Sequence, residues 1–242
     1  MTDNCNKSCN ILIIVPCYNE EKNIEQTVAN IKKYGYDYIV INDGSKDHTE
    51  DILCQNQIKH ISLSNNLGIG GGMQAGYKYA KQNRYDIAVQ FDGDGQHNSY
   101  EIDKIIAPIL QGEADLVIGS RYLNSEGFKS TFLRRCGISF LSWMMKIMLG
   151  KRIKDMTSGF RAVKYNLIEL FAYDYPYEYP EPVTNFKAQM DGYRIKEIPV
   201  VMNERKHGIS SITALKSIYY MINVFFQFII LKFTGKKKGD EV

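Results

Sequence analysis

Two aspartates one residue apart, Asp92 and Asp94, follow the apolar segment at residues 87–91. Carboxylates at the end of a buried strand are unfavourable unless a partner compensates their charge. Mg²⁺ is usually held by one or two carboxylates together with phosphate oxygens, so this spacing indicates a divalent cation with bound phosphate groups. A turn of Asp and Gly after a strand is the structural alternative. The pair alone does not decide between the two.

Three further polar or glycine-rich segments follow apolar runs, at residues 16–20, 42–45 and 65–72. Asp43 is suited to accept hydrogen bonds from a base or a ribose, or to form a simple turn before a helix. The glycines at residues 68–72 allow the backbone to approach a ligand or a neighbouring strand, or form a flexible turn. The chain lacks the P-loop motif, so a nucleotide diphosphate would have to be bound in another way.

Short apolar runs alternate with helical patterns through the first 120 residues. The runs predict strands at residues 11–15 (ended by Pro16), 38–41, 58–63, 87–91 and 115–118. Helices are predicted from Glu20, from about Asp47, from the glycine turn through Tyr79, and over residues 102–109. This alternation predicts an α/β fold with a mostly parallel, doubly wound sheet. Ligands of such sheets bind beyond the carboxyl ends of the strands, so the four polar segments should converge on one crevice.

The second half of the chain has a different pattern. Phe132–Leu149 is predicted to be a long, largely apolar helix, and residues 193–201 a further strand. Residues 155–161 are predicted to be a polar loop and 173–182 a linker rich in Tyr and Pro. We expect a domain over residues 1–211 and an apolar, basic tail over residues 212–242.

Composition narrows the class of protein. A chain of 242 residues can bury one sizeable core, and its formal net charge of +3 is too small to indicate nucleic acid as a partner. The five cysteines show no zinc-ligand spacing along the sequence, which favours free thiols in a reducing compartment. The polar first ten residues and the short apolar run after them do not predict a secretory signal.

Six short segments, taken together and in order, resemble the family 2 glycosyltransferases with the GT-A fold. They are VPCYNE at 15–20, NDGS at 42–45, NLG at 66–68, DGDGQH at 92–97, DMTSGFR at 155–161 and RKHGIS at 205–210. The last two are similar to the dolichol-phosphate mannose synthase branch, which uses polyprenyl phosphate. The resemblance implies a metal-dependent, inverting transfer of a sugar from a UDP- or GDP-linked donor to undecaprenyl or dolichyl phosphate, for cell-surface glycan synthesis.

The resemblance also implies a role for each residue at a matching position. The nucleotide-sugar pocket is expected to contain Pro16, Tyr18, Glu20, Asp43, Asp92 and Gln96. Mg²⁺ or Mn²⁺ is expected at Asp92, Asp94 and Gln96. The acceptor phosphate is expected at Arg121, Arg135 and Ser139, and Arg205 is expected to close on the donor. The residues expected to be catalytic are Asp94, Arg121, Arg135 and Arg205.

Some of these positions have ordinary alternatives. Arg135, beside Arg134, is also compatible with a side chain that snorkels from an amphipathic helix, and Arg205 with a surface salt bridge. The sequence departs from the family at Ser211, where a lysine is common.

The acceptor is the main open question at the level of sequence. A phosphate acceptor is already an anion and needs arginines to position it, whereas a sugar hydroxyl needs a carboxylate base. Glu181 and Asp191 are candidate bases, but neither lies in a decisive motif. A transferase that extends a saccharide is therefore the alternative function, and a nucleotide-sugar binder without activity is a third.

The tail indicates contact with a membrane. Residues 218–231 are apolar except for Asn223 and Gln227, and lysines follow at 236–238. A helix lying in the membrane interface fits this pattern better than a spanning helix, which places the protein peripherally on the cytoplasmic face of the membrane. A helix that caps the core or forms a dimer seam is the alternative. The pattern also allows a homo-oligomer or a small membrane-protein partner.

Overall fold

A seven-stranded sheet carries helices on both faces of this protein. The computed structural model describes residues 9–123, 132–203 and 214–234. The strands are β1 (Ile11–Cys17), β2 (Asp37–Asn42), β3 (His60–Ser62), β4 (Ile87–Gln90), β5 (Leu116–Ser120), β6 (Arg161–Lys164) and β7 (Ile195–Pro199). The helices are α1 (Ile24–Lys32), α2 (Thr49–Gln55), α3 (Gly68–Gln82), α4 (Ile102–Leu110), α5 (Phe132–Leu149), α6 (Tyr165–Tyr173), α7 (Pro180–Met190) and α8 (Ala214–Thr234).

The strand order is β3-β2-β1-β4-β6-β5-β7. Strand β6 runs antiparallel between β4 and β5, and the other neighbouring pairs are parallel. The predicted mostly parallel α/β sheet is therefore confirmed. The sequence predicts only a loop at residues 155–161, whereas β6 begins at Arg161. With four residues, β6 is too short to give a periodic signal of its own.

The two faces of the sheet bury separate cores because successive residues of a strand point to opposite sides. Leu12 and Ile14 of β1 belong to the core under α3 and α5 to α8. Ile13 and Val15 belong to the core under α1, α2 and α4. A strand buried on both faces appears in the sequence as a continuous apolar run, which is why β1 is recognisable without alternation.

Three predicted boundaries in the first half are wrong. Helix α1 begins at Ile24 rather than at Glu20. Pro16 does not end β1: the strand continues to Cys17, and the Pro16 carbonyl accepts a hydrogen bond from the Gly93 amide at 3.2 Å. The glycines at residues 68–72 form the first turns of α3 rather than a turn before it. A Cβ at Gly70 would lie 2.2 Å from the Pro176 carbonyl oxygen, so close packing on the neighbouring segment requires a glycine there despite its low helix propensity.

The apolar tail segment forms a helix that packs on the domain. Helix α8 contacts α5 and α7, and its residues Val224 and Phe228 are fully buried. The ring of Phe228 stacks on Phe186 of α7 with a centroid distance of 4.4 Å. The predicted linker at 173–182 is also shorter than expected, because α7 already begins at Pro180, where the fixed φ of proline suits a first helical residue.

Candidate active site

The carboxyl ends of β1, β2 and β4 are joined by backbone hydrogen bonds. The amide of Asp43, after β2, donates to the Cys17 carbonyl of β1 at 2.9 Å, and the amide of Gly93, after β4, donates to the Pro16 carbonyl at 3.2 Å. Strand β1 pairs with β2 on one side and β4 on the other, so strand order reverses here. Such a switch point is where open α/β sheets bind ligands.

Asp43 is buried at this switch point. Its Oδ1 accepts a hydrogen bond from the Leu67 amide at 2.7 Å, which ties the end of β2 to the start of α3. Burial raises the pKa of Asp43, and backbone N–H groups of Leu67 and Gly68 partly oppose that rise. The structure therefore places a carboxylate, with backbone N–H donors on one side of it, at the position where the sequence predicts a nucleoside pocket.

The segment after β1 is joined to the start of α2. The Glu20 amide donates to Thr49 Oγ1 at 3.0 Å, and Glu20 Oε2 accepts from Asn23 Nδ2 at 2.7 Å. Pro16 is buried in β1, whereas Tyr18 is 41% exposed and leaves its ring open to a ligand. The predicted nucleotide-pocket residues after β1 and β2 thus lie at adjacent strand ends.

Gln90 and His97 hold Asp92 at the end of β4. Its Oδ1 accepts from Gln90 Nε2 at 3.4 Å, and its Oδ2 lies 3.3 Å from Nε2 of the buried His97, whose ring stacks on Phe160. A Cβ at Gly159 would lie 2.7 Å from Asp92 Oδ2, so a glycine at this position leaves room for the carboxylate. This close approach explains the glycine in the DMTSGFR segment.

Asp94 and Gln96 lie on the α1 side of the same turn. Asp94 is buried, and its Oδ1 accepts from the Gln96 amide at 3.0 Å. Asp94 also lines a cavity of about 380 Å³ with Lys22 and Lys33 of the α1 region. Gln96 Nε2 lies 3.4 Å from the Asn203 carbonyl oxygen, which brings the chain after β7 to this turn.

A polar network missed by the sequence reasoning lies beneath Asp92. Arg161 is fully buried and donates from Nε to Gln90 Oε1 at 3.2 Å, from Nη1 to Thr184 Oγ1 at 2.7 Å, and from Nη2 to the Tyr175 hydroxyl. Gln90 Nε2 in turn lies 3.4 Å from both Asp92 Oδ1 and Glu181 Oε1. A glutamine inside the apolar strand is the sequence signal that could have revealed this network.

Glu181 reaches the site from α7. Burial raises its pKa, whereas the positive charge of Arg161 opposes the rise. Asp191 lies at the opposite end of α7, directly after its last residue Met190. A helix rises about 1.5 Å per residue, so the two candidate bases are about 15 Å apart along α7. Of the two, Glu181 is the one in contact with the Asp92 network.

Arg121 forms a buried ion pair. Its Nε donates to Asp155 Oδ2 at 2.8 Å and its Nη2 to Asp155 Oδ1 at 2.7 Å, while Nη2 also lies 3.2 Å from Thr157 Oγ1. This bidentate pair raises the pKa of Arg121 despite burial of its guanidinium, and it joins the end of β5 to the DMTSGFR segment. The role of Arg121 toward an acceptor phosphate stays a prediction.

Arg135 and Ser139 line a second, smaller cavity with two cations that the sequence reasoning did not select. The cavity measures about 150 Å³ and is also lined by Tyr122, Arg152 and Lys154. Arg152 donates from Nε to Ser142 Oγ at 3.1 Å and lies 3.5 Å, through Nη2, from Ser139 Oγ. The structure thus brings three cationic side chains to the start of α5. Arg205 and the lysines at 236–238 lie outside the described residues.

Known proteins with a similar sequence or fold identify the family. The model of glycosyl transferase family 2 matches residues 12–173. A UDP-N-acetylglucosamine–dolichyl-phosphate N-acetylglucosaminyltransferase of Methanococcus voltae is 34% identical over 184 residues, 67% of this chain and 72% of that one. A polyprenol monophosphomannose synthase of Mycolicibacterium smegmatis is 27% identical over 214 residues, 84% of this chain and 80% of that one.

A solved structure confirms the expected GT-A fold. Glucosyl-3-phosphoglycerate synthase from Mycobacterium tuberculosis, in complex with Mn²⁺, UDP-glucose and phosphoglyceric acid, superimposes with a TM-score of 0.69 at 18% identity. The match covers 96% of this chain and 82% of that one. Since the family model spans most of the chain and the motifs lie at the carboxyl ends of the sheet, this protein belongs to glycosyl transferase family 2 and is a glycosyltransferase.

Proposed function

We propose that this enzyme transfers a sugar, with inversion, from a nucleotide-sugar to a polyprenyl phosphate at the cytoplasmic face of a membrane. The cationic cavity of Arg135, Arg152 and Lys154 at the start of α5 is the observation that carries the proposal. An anionic phosphate needs such cations for positioning, and needs no base to deprotonate it. The relatives named for dolichyl phosphate and polyprenol support the same acceptor class.

The residues after β4 fit a divalent cation. Asp92 and Asp94 supply hard carboxylate oxygens in one turn, and the small residue Gly159 leaves room beside Asp92. We propose that these carboxylates, with Gln96, hold Mg²⁺ or Mn²⁺ against the donor diphosphate. When bound, the ion would stabilise the negative charge that develops on the leaving diphosphate. Mn²⁺ and Mg²⁺ occur with UDP in solved structures of the same fold, which supports this assignment.

The reaction then needs two positioned substrates. Asp43, Glu20 and Tyr18 hold the nucleoside at the ends of β1 and β2. An oxygen of the acceptor phosphate, oriented by Arg135 and Arg152, forms a bond to the anomeric carbon from the face opposite the diphosphate. The bond from that carbon to the diphosphate breaks, and its electron pair leaves with the nucleoside diphosphate. Arg205 is proposed to close over the donor, and Arg121 to support the acceptor side through its pairing with Asp155.

A continuous apolar surface on α5 and α8 supports membrane contact. Exposed large side chains recur every three to four residues, so they form one stripe on each helix. On α5 they are Phe140, Trp143 and Ile147, and on α8 Tyr219, Ile222, Phe226, Ile230 and Phe233. The two helices pack together, with the rings of Phe140 and Phe225 6.0 Å apart. We propose that this surface, hereafter the α5–α8 apolar face, enters the headgroup region beside anionic lipid.

The α5–α8 apolar face suits a protein that lies on a membrane. Among the helices described here, none has both the length and the apolar character needed to cross a bilayer. On the basis of the α5–α8 apolar face we propose a peripheral position, in which the lysines at 236–238 add attraction to anionic headgroups.

A saccharide acceptor is the second candidate because Glu181 contacts the Asp92 network. A partly buried carboxyl with a raised pKa is suited to accept a proton from a sugar hydroxyl. Its contact with Gln90, however, makes Glu181 part of the support beneath Asp92, so we favour the phosphate acceptor.

Product analysis separates the two acceptors. The full chain is incubated with radiolabelled UDP- and GDP-linked sugars, a divalent metal and undecaprenyl phosphate in mixed micelles. We expect label to enter the organic phase and to be released by mild acid. Undecaprenol, which lacks only the phosphate, is the matched control and should accept no label. Transfer to a free saccharide, with none to undecaprenyl phosphate across the donor set, would overturn the proposal.

A further inference from the structure

Three metal-ligating side chains meet behind the nucleoside pocket, outside the site described above. Glu50 and Cys54 lie four residues apart on α2, and His60 begins β3. One donor atom from each lies within 4.8 Å of the other two. Glu50 Oε1 is the shared centre, 3.8 Å from Cys54 Sγ and 3.4 Å from His60 Nε2. The spacing of cysteines along the sequence does not show this group, because its members come from two elements.

The imidazole of His60 is oriented as a ligand. Its Nδ1 lies 2.7 Å from the Ile58 carbonyl oxygen, and a carbonyl can only accept, so Nδ1 carries a hydrogen. Nε2 is then directed at Glu50 Oε1. Without a proton on Nε2, two lone pairs face each other and a cation between them is favourable. A backbone carbonyl that fixes the tautomer is the usual outer partner of metal-bound histidine.

The two carboxylate oxygens of Glu50 contact different partners. Oε2 accepts hydrogen bonds from Asn42 Nδ2 at 2.6 Å and from the Ser62 hydroxyl. Oε1 faces Cys54 and His60. A carboxylate that binds a metal through one oxygen, while neighbouring hydrogen-bond donors hold the other, has this arrangement.

The distances match a tetrahedral zinc ion. Zinc bonds of about 2.3 Å to sulfur and about 2.0–2.2 Å to nitrogen and oxygen imply separations of about 3.4 Å between N and O and about 3.6 Å between S and O. The corresponding separations here are 3.4 Å and 3.8 Å. The edge between Cys54 and His60 has to shorten by about 1.2 Å at most, and the edge between Cys54 and Glu50 by about 0.2 Å. Cys54 is exposed, so its side chain can turn to do so.

We infer that Glu50, Cys54 and His60 form a second metal site, which binds Zn²⁺ with water as the fourth ligand. Thiolate and imidazole ligands select zinc over Mg²⁺, which prefers oxygen, so this site is chemically distinct from the carboxylates after β4. Binding releases the Cys54 proton to solvent. Because Glu50 also holds Asn42, which precedes Asp43, the ion fixes the end of β2 at the nucleoside pocket.

Cobalt is the probe, because a Co²⁺–thiolate bond gives a charge-transfer absorption that carboxylate sites lack. The full chain, stripped of metal and reduced, is titrated with Co²⁺ and then with Zn²⁺. We expect the absorption to saturate at one equivalent and to disappear when Zn²⁺ displaces the cobalt. Cys54→Ser should abolish it, and His60→Gln should weaken binding. Ser62→Ala, which removes a hydrogen-bond donor to Glu50 Oε2, should weaken binding by about tenfold or more.

Matched variants locate the signal. Cys136→Ser changes another exposed cysteine, and the Cys5→Ser/Cys9→Ser double variant removes two cysteines that are close to each other in the sequence. Both should keep the absorption, as should Asp92→Asn/Asp94→Asn, which removes the carboxylates after β4. Circular dichroism of each apo variant establishes that it is folded. An absorption that survives in folded Cys54→Ser, or no cobalt–thiolate signal in the intact chain, overturns the inference.

Discussion

The carboxylates at the strand ends and the guanidinium beneath them occupy the same sheet but are held in different ways. Asp43 and Asp92 lie just after β2 and β4; Asp43 takes its partner from the residue before α3, and Asp92 takes its partners from the end of β4 and from His97 in the loop after it. Arg161 is the first residue of β6 and takes its partners from β4, α7 and the segment before α7. The first group can meet a ligand, whereas the second is closed off from solvent. A change in the first group should therefore affect turnover, and a change in the second should affect stability first.

The largest effect is expected for Asp94→Ala. Loss of a group that compensates charge on the leaving diphosphate should lower kcat by about 10²–10³-fold while the fold persists. Turnover at saturating Mn²⁺ and thermal unfolding of the same preparation measure both quantities. Asp51→Asn, an exposed carboxylate on α2, is the control and should keep near-normal activity. Equal loss of stability and activity in Asp94→Ala would mean that Asp94, like Arg161, serves mainly to stabilise the fold.

Arg161→Met should have the next largest effect, on stability. Methionine fills much of the volume, but Gln90, Thr184 and Tyr175 lose a buried donor, at about 1–3 kcal/mol for each group left without a partner. The midpoint of urea unfolding measures the change. Arg194→Met is the matched control, because Arg194 forms an exposed bidentate pair with Asp115 and exposed ion pairs contribute little to stability. Similar losses in both variants would erase the contrast between buried and exposed guanidinium groups.

The contrast between the strand-end carboxylates and Arg161 also explains which parts of the site could be predicted from the sequence. Asp43, Asp92 and the β1 run are visible because each depends on a local pattern, a strand followed by a polar turn. The partners of Arg161 come from 14 to 71 residues away, and no local pattern contains them. Arg152 is missed for a similar reason, since only the packing of α5 brings it to Ser139. For the glycines at residues 68–72 the sequence allows a close backbone approach or a flexible turn, and the structure shows the close approach at Gly70, from within α3.

Arg152→Ala tests the acceptor side. The cationic cavity there is a third environment, distinct from the crevice at the strand ends and from the buried network of Arg161. A charge-assisted contact to phosphate is worth about 1.5–3 kcal/mol, so the KM for undecaprenyl phosphate should rise about ten- to a hundredfold with little change in the KM for donor. Arg135→Ala should act in the same direction. Lys151→Ala is the control, because Lys151 Nζ donates instead to the Ile195 carbonyl. An increase confined to the donor KM would assign the cavity to the diphosphate.

The two faces of α8 give a smaller, graded contrast. Deleting residues 212–242 would expose the groove that Val224 and Phe228 fill, so it would confuse membrane affinity with folding. Phe226→Ser and Ile230→Ser change only exposed positions of the α5–α8 apolar face. Each should reduce binding to anionic liposomes by about five- to thirtyfold, because it removes about 1–2 kcal/mol of apolar burial, and should leave unfolding unchanged. Thr234→Ser at the end of α8 is the control. Unchanged liposome binding would place the membrane contact elsewhere.

The smallest effect concerns Asp43, where function and stability should oppose each other. Its pKa is raised by burial, so the folded state binds more protons than the unfolded state between the ordinary pKa near 3.8 and the raised value. The free energy of unfolding therefore falls as pH rises through that window, and the penalty persists at neutral pH. Asp43→Asn should be slightly more stable than the parent at pH 7, with a gain that fades on acidification, and should bind the donor nucleotide more weakly.

Asp115→Asn should show the reverse sign, because Arg194 lowers the pKa of Asp115 and the resulting stabilisation is present at neutral pH and lost in acid. Urea unfolding of both variants from pH 3 to 7 measures the two slopes. Parallel slopes would mean that Asp43 is compensated like a surface carboxylate, and the distinction between a ligand-binding carboxylate and a structural one would fail at this position.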